Sequence, residues 1–308
     1  MDRKEFFKKS IYAAMAAGTL PVLGKYAEAF AGMPMPASAS PYDLVAVKGG
    51  EPDVMFDKAM EAMGGMKQFV PKGSKVVLKP NIGWDVPPDR GANTNPKLVA
   101  QIIKHCYAAG AKQVTVFDHT CDDWKSTYSN SGIERAAKDA GARVVPGNTE
   151  SYYQKVTVPN TSKLPNAKVH ELILDADVFI NVPILKNHGS SKMTICMKNL
   201  MGIVWDRGEW HRNDLHQCIA DFAAFKKPTL NVVDAYTVMK KNGPRGVSAD
   251  DVVTMKSLLV STDMVAADAA GTKLFGWEPA DIRHIKIAAE KKLGRMDLAQ
   301  LNIKRITV

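Results

Sequence analysis

Cysteine is scarce: Cys106, Cys121, Cys196 and Cys218 are the four in 308 residues, and no two form a Cys-x-x-Cys pair. That spacing speaks against a cysteine-ligated iron–sulfur cluster or zinc ribbon within the chain, while one or two disulfides stay open in an oxidising compartment. No apolar run reaches about 20 residues, so no integral membrane span is expected beyond an N-terminal signal. Lys and Arg outnumber Asp and Glu 41 to 32, but the basic residues are spread along the chain. Without a basic cluster and stacking aromatics, nucleic acid is not an expected partner. Gly-x-Ser-x-Gly, a phosphate loop ending Gly-Lys-Ser/Thr and Gly-x-Gly-x-x-Gly are all missing, which disfavours a serine hydrolase, an ordinary nucleotide hydrolase and a Rossmann dehydrogenase. What is there is globular: 45% hydrophobic and 24% charged residues exclude disorder, collagen and coiled coil.

Arg3-Lys4-Glu5-Phe6-Phe7-Lys8-Lys9 precedes an apolar stretch, Ile11 to Leu23, that ends near Ala27-Glu28-Ala29. A charged start, a short apolar core and a small-x-small site describe an export signal over residues 1–29. The start resembles a twin-arginine signal with lysine in the second basic place, so the twin-arginine route, the Sec route and an uncleaved anchor all stay open. A periplasmic location is the expectation. Residues 30–41, rich in Pro, Ala and Ser, read as a linker.

From Tyr42 to Val308 short β-branched runs alternate with helical patterns. Strands are expected at Leu44–Val47, Lys75–Leu78, Gln113–Phe117, Ala142–Val145, Val178–Val182, Leu230–Val233, Ser257–Val260 and Ile303–Val308. Helices are expected at Asp53–Met63, Pro96–Ala109, Ile133–Ala140, Asp214–Phe225, Met264–Phe275 and Pro279–Lys292. Apolar strands that return through helices predict an α/β fold: a mostly parallel sheet with helices on both faces, in a single compact domain over residues 42–308. Ligands of such sheets bind beyond the carboxyl ends of the strands, so the polar residues placed there are the candidates.

Those residues are Lys79 and Asn81 after one strand, Asp118 and His119 after another, and Lys186, Asn187, His188 and Ser190 after a third. Lys198 and Asn199 follow soon after, Asp234 closes the strand at Leu230–Val233, Gly243 lies in a glycine-rich loop, and Asn95 opens a helix. Lysine supplies charge, and Asn and exposed N–H groups supply directed hydrogen bonds, so the set is suited to a small anion. Each alone has a structural reading: lysines after strands are commonly solvated, and Asn95 reads as an N-cap. His119, His188, His211 and His216, with Asp118 and Asp234, could form a mixed metal site or a base with its orienting carboxylate. His216 reads equally as a packed histidine, and His105, His170 and His284 as structural. Trp205 and Trp210 fall on an expected loop, as a lid or packed back on the fold.

The series Lys79-Pro80-Asn81, Thr94-Asn95-Pro96, Asn181-Val182-Pro183-x-x-Lys186-x-His188, Lys198-Asn199-x-x-Gly202 and Val233-Asp234 with Asn242-Gly243-Pro244 resembles the domain-of-unknown-function 362 family, from about Leu44 to Val308. The resemblance implies export for many members and, in some, an appended ferredoxin-like domain with two four-iron clusters. Lacking those cysteines, this chain would need a redox partner protein for any iron–sulfur role. A fainter outline, Thr94-Asn95-Pro96 before a His/Lys loop, is similar to nickel-pincer lactate racemases, which have arginine where Asn95 stands.

Three functional classes follow. The first is an exported enzyme on an anionic small molecule: Lys186 and Lys198 hold the anion, Lys79, Asn81, Asn95, Asn187, Ser190, Asn199 and Gly243 line its pocket, and His188 or His119 transfers a proton beside Asp118 or Asp234. A metal- or cofactor-dependent redox enzyme is a variant of it, with the cofactor itself unknown. The second is a periplasmic ligand- or cofactor-carrying module, and the third a scaffold partner of an iron–sulfur redox protein.

Overall fold

Apolar side chains that alternate along each central strand fill both faces of one sheet, and this places the helices. The structure, a computed structural model, describes residues 40–308. The expected export signal, and the linker up to residue 39, lie outside the described residues. In chain order the elements are β1 (Leu44–Lys48), α1 (Pro52–Ala62), β2 (Lys75–Pro80), α2 (Pro96–Ala108), β3 (Gln113–Val116), α3 (Trp124–Asn130), α4 (Ile133–Asp139) and β4 (Arg143–Val144). Then come β5 (Tyr153–Thr157), β6 (Asn166–His170), α5 (Glu171–Asp175), β7 (Val178–Val182), β8 (Ile184–His188), β9 (Lys192–Thr194), α6 (Cys196–Asn199), α7 (Arg207–Asn213) and α8 (Leu215–Phe222). The chain closes with β10 (Leu230–Met239), β11 (Val252–Ser261), α9 (Met264–Phe275), α10 (Arg283–Glu290) and β12 (Ile303–Thr307).

The main sheet runs β12-β1-β11-β10-β7-β2-β3-β4, with β8 and β9 continuing beside β10, while β5 and β6 form a separate hairpin. Val76, Leu78, Val178, Ile180 and Val182 face α1, α2 and α4, where they meet Phe56, Leu98 and Ile102. Val77, Phe179 and Val233 face the other way, toward Met197, Ile219, Phe222, Val265 and Ile285 of α6, α8, α9 and α10. The sheet is mostly parallel, as expected, but β11 is antiparallel to both β1 and β10. The reason is the connection: residues 240–251 hold a Gly-Pro loop and a short 3₁₀ turn instead of a crossover helix, so the chain returns as a hairpin.

Several elements differ from the sequence reading. The expected helix Asp214–Phe225 begins at Leu215 because Asp214 caps it, accepting from the Gln217 N–H at 3.2 Å. Pro279–Lys292 splits into a 3₁₀ turn at Pro279–Asp281 and α10. Residues 183–191, read as a loop, are largely strand: Pro183 has no N–H to give the ladder, and pairing with β10 resumes beyond it in β8. The segment around Trp205 and Trp210, expected as a loop, enters α7 at Arg207, and Trp210 packs against Phe222 with ring centroids 5.2 Å apart.

Candidate functional site

The alternation that buries Val77, Phe179 and Val233 also sets a polar row on the same face. Lys79 on β2 lies opposite Asn181 on β7, and Asn181 opposite Asn231 on β10. None of the three is open to solvent beyond 1%. Asn181 donates to the Asn231 Oδ1 at 3.1 Å and accepts from the Asn199 Nδ2 at 2.9 Å. Asn199 Oδ1 in turn accepts from Lys79 Nζ at 2.7 Å and from Asn81 Nδ2 at 3.1 Å. Through Lys79, Asn81 and Asn199 this satisfied amide network reaches a cavity of about 440 Å³ at the carboxyl ends of β2, β3 and β8 and forms its floor.

Lys79 Nζ pairs with Asp118 Oδ1 at 2.9 Å, and the other carboxylate oxygen accepts from the Ile82 N–H at 2.7 Å. Lys186 is equally buried, but its ammonium meets only neutral acceptors, Asn81 Oδ1 at 3.1 Å and the Ala92 carbonyl. Burial, reinforced by the Lys198 and Lys79 charges, brings its pKa down to about 7. Lys198 stands at the last turn of α6, whose first N–H groups, of Cys196 and Met197, are held by the buried Asp268 carboxylate at 2.6 and 3.1 Å. Its amine lies in the cavity wall, brought to about 8 by burial and then by Arg207 and Lys79. The Arg207 guanidinium donates to the carbonyls of His119 and Thr120, which ties α7 to the loop after β3.

Two of the three cavity histidines, His119 and His188, have opposite tautomers. His119 stacks on Trp205, centroids 4.9 Å apart and planes within 1°, with Nδ1 3.1 Å from the Val204 carbonyl. A carbonyl only accepts, so Nδ1 carries the proton and Nε2 keeps its lone pair. Burial and the Arg207 charge lower its pKa and keep it neutral. His188 is the reverse: Nδ1 accepts from the Ser190 and Ser191 N–H groups at 3.1 and 3.3 Å, leaving the proton on Nε2. Burial and the Lys198 and Lys186 charges push it down to about 2, so it offers a hydrogen-bond donor and takes no proton at ordinary pH.

Of the residues expected from sequence, Lys79, Asn81, Asp118, His119, Lys186, His188, Ser190, Lys198, Asn199 and His211 line this cavity. Asn95, Asn187, Asp234, Gly243 and His216 do not. Asn95 caps α2, accepting from the Lys97 N–H at 2.9 Å, and its own N–H goes to Asp234 Oδ2 at 2.7 Å. Asp234 also accepts from the Tyr236 N–H, and its carboxyl is raised to about 6 by burial, so it braces the sheet end. Asn187 Oδ1 accepts from the Gly243 N–H at 3.1 Å, holding the glycine-rich loop against β8. His216 faces His284, Nδ1 to Nδ1 3.1 Å. The four histidines therefore do not form one ligand set, and among the described residues no three His, Cys, Asp or Glu side chains converge as metal ligands.

Sequence reasoning missed Arg207 and Asp268, and had Asn181 and Gly202 only as positions of the family series, with no role in the site. A Cβ on Gly202 would stand 1.9 Å from Asp118 Oδ1 and 2.5 Å from Lys79 Nζ, so only glycine admits that ion pair. The signal for Asp268 was in plain view: one carboxylate within Ala266-Ala267-Asp268-Ala269-Ala270, in the apolar first half of its helix.

A family described as domain of unknown function (DUF362) matches residues 76–273. The thylakoid-associated protein sll1697 of Synechocystis sp. is 27% identical over 243 residues, covering 76% of this chain and 73% of that protein. Among solved structures, the lactate racemase apoprotein from Thermoanaerobacterium thermosaccharolyticum aligns with a TM-score of 0.48 at 13% identity. That alignment covers 75% of this chain and 56% of the racemase chain, so this chain spans little more than half the racemase's length.

Proposed function

The chain belongs to the DUF362 family, and from that premise we propose that it is an enzyme that holds a small anionic substrate in the cavity and moves a proton through His119. The charge balance of the cavity wall carries this reading: Lys79, Lys186, Lys198 and Arg207 face a single carboxylate, Asp118, which Lys79 already occupies. Burying a cation without a counter-charge costs several kcal/mol, and a bound anion offsets that cost. In this reading Lys186 and Lys198 supply the charge and His188 donates Nε2–H to the same anion. His119, fixed by Val204 and Trp205, accepts a proton at Nε2. The Lys79–Asp118 pair and the asparagine row keep the floor rigid.

Titration calorimetry with malonate and with inorganic phosphate tests the first half. Binding should weaken at least about tenfold in both Lys186→Ala and Lys198→Ala, and unchanged affinity in both would overturn the reading. Solvent deuterium exchange into small carboxylates, followed by NMR, tests the second half: exchange should vanish in His119→Gln while malonate affinity stays. Tight binding without exchange for any carboxylate would favour a carrier module instead.

For the N-terminal segment we propose export, supported by the charged start at Arg3–Lys9 and the apolar stretch Ile11–Leu23. Fractionation with N-terminal sequencing tests it: a periplasmic or membrane-held chain is expected, and cytoplasmic chain with its leader intact would refute it.

A further inference from the structure

Three lysines reach this cavity, and two of them are tied down. Lys79 is held by Asp118 and Asn199, and Lys186 by Asn81 and the Ala92 carbonyl. Lys198 lines the same wall, and its amine makes no hydrogen bond to the chain among the described residues. We propose that Lys198 is a nucleophile that forms an imine with a small 2-oxo acid, whose carboxylate lies against Lys186 and the His188 N–H. The proposal rests on the anion-binding reading above and names its substrate class.

Lys198 is fixed at its base, because Asp268 clamps the start of the four-residue helix α6, while its amine end is left unengaged. The cavity gives that amine no carboxylate: Asp118 is spent on Lys79 and the Ile82 N–H. The ionisable groups around it are Arg207, Lys79, Lys186, His188, His211 and the Cys121 thiol, mostly cationic or neutral. Burial first, then the Arg207 and Lys79 charges, draw its pKa toward neutrality, so free amine is available near pH 8. An amine that is unpaired, anchored and surrounded by positive charge suits attack on a carbonyl that brings its own anion.

The step balances without any oxidant or reductant. The Nζ lone pair forms a bond to the carbonyl carbon, and the C=O π pair moves onto oxygen. The two N–H protons pass in turn to that oxygen, with His119 Nε2 as the group able to carry them. Oxygen leaves as water, and the nitrogen lone pair closes the C=N bond.

The test incubates the full chain with pyruvate, 2-oxoglutarate or glyoxylate in the presence of cyanoborohydride, followed by intact mass and peptide mapping. We expect a single reduced adduct on Lys198 with at least one of the three, saturable, suppressed by malonate and absent from Lys198→Arg. If that variant does not fold, the wild-type peptide map decides alone, since it reads the attachment site directly. Adduct on Lys186, adduct scattered over surface lysines, or no adduct would each overturn the proposal. Malonate binding that persists without an adduct would remove the imine step alone, whereas loss of both would remove the anion pocket with it.

Discussion

At the base of α8, Asp221 is fully buried and both carboxylate oxygens are engaged: Oδ1 by Lys291 and Gln217, Oδ2 by the Thr161 hydroxyl and the N–H groups of Ser162 and Lys163. Burial opposes its ionisation, yet Lys291 and those donors outweigh it and hold the carboxyl at about 2. In the cavity, Lys186 is just as buried and finds only an amide oxygen and a carbonyl, so its charge is disfavoured. The same fold therefore closes one buried charge with its own atoms and leaves another short of a counter-ion. A charge completed internally serves the fold, and a charge left incomplete is a place for a ligand.

The sharpest way to break that contrast is to remove each charge in turn. Asp221→Ala would strand Lys291 and the 161–163 loop, and we expect a loss of about 3 kcal/mol in urea unfolding, with little change in malonate affinity. Gly202→Ala should cost about 2 kcal/mol, since its Cβ can enter only by displacing Asp118 or Lys79, and should also weaken malonate binding. Lys186→Met inverts the sign: ligand-free protein should gain about 1 kcal/mol because a buried cation without a carboxylate is replaced by an apolar chain of similar length. The same variant should lose malonate. If Lys186→Met is as destabilising as Asp221→Ala, the two regions are alike and the contrast fails.

How much of this could be read from sequence follows the same divide. Val178–Val182 and Pro96–Ala108 announce themselves by apolar periodicity, and Lys79, Lys186 and Lys198 stand out because they follow apolar runs. β8 did not, since Lys186-Asn187-His188 looks like a polar loop; it is strand only because Ile184, Lys186 and His188 share one buried face. Asn95 and Asp234 share the signature of site residues yet serve as a cap and a brace, a difference of a few ångströms that no spacing records. Asn181, Asn231 and Asp268 were legible in hindsight as single polar residues inside apolar elements, where burial demands a partner.

The smallest expected effect concerns pH, and it separates stability from binding. Lysine in an unfolded chain titrates near 10.4, whereas Lys186 and Lys198 titrate at about 7 and about 8 in the fold. Between those values the unfolded chain holds protons the folded chain has released. The stability of ligand-free protein should therefore rise as pH rises from about 7 toward 10, by a few degrees in Tm per pH unit. Anion binding runs the other way, because it needs the ammonium form: malonate affinity should be full below about pH 7 and fall as pH climbs through 8. The increment in Tm given by saturating malonate should accordingly be largest on the acid side and shrink toward pH 9. In Lys186→Met both slopes should flatten together, while in Asp221→Ala neither should change, because that carboxyl titrates far below this range. A malonate increment that stayed constant from pH 6 to 9 would mean that these amines are not what the anion meets.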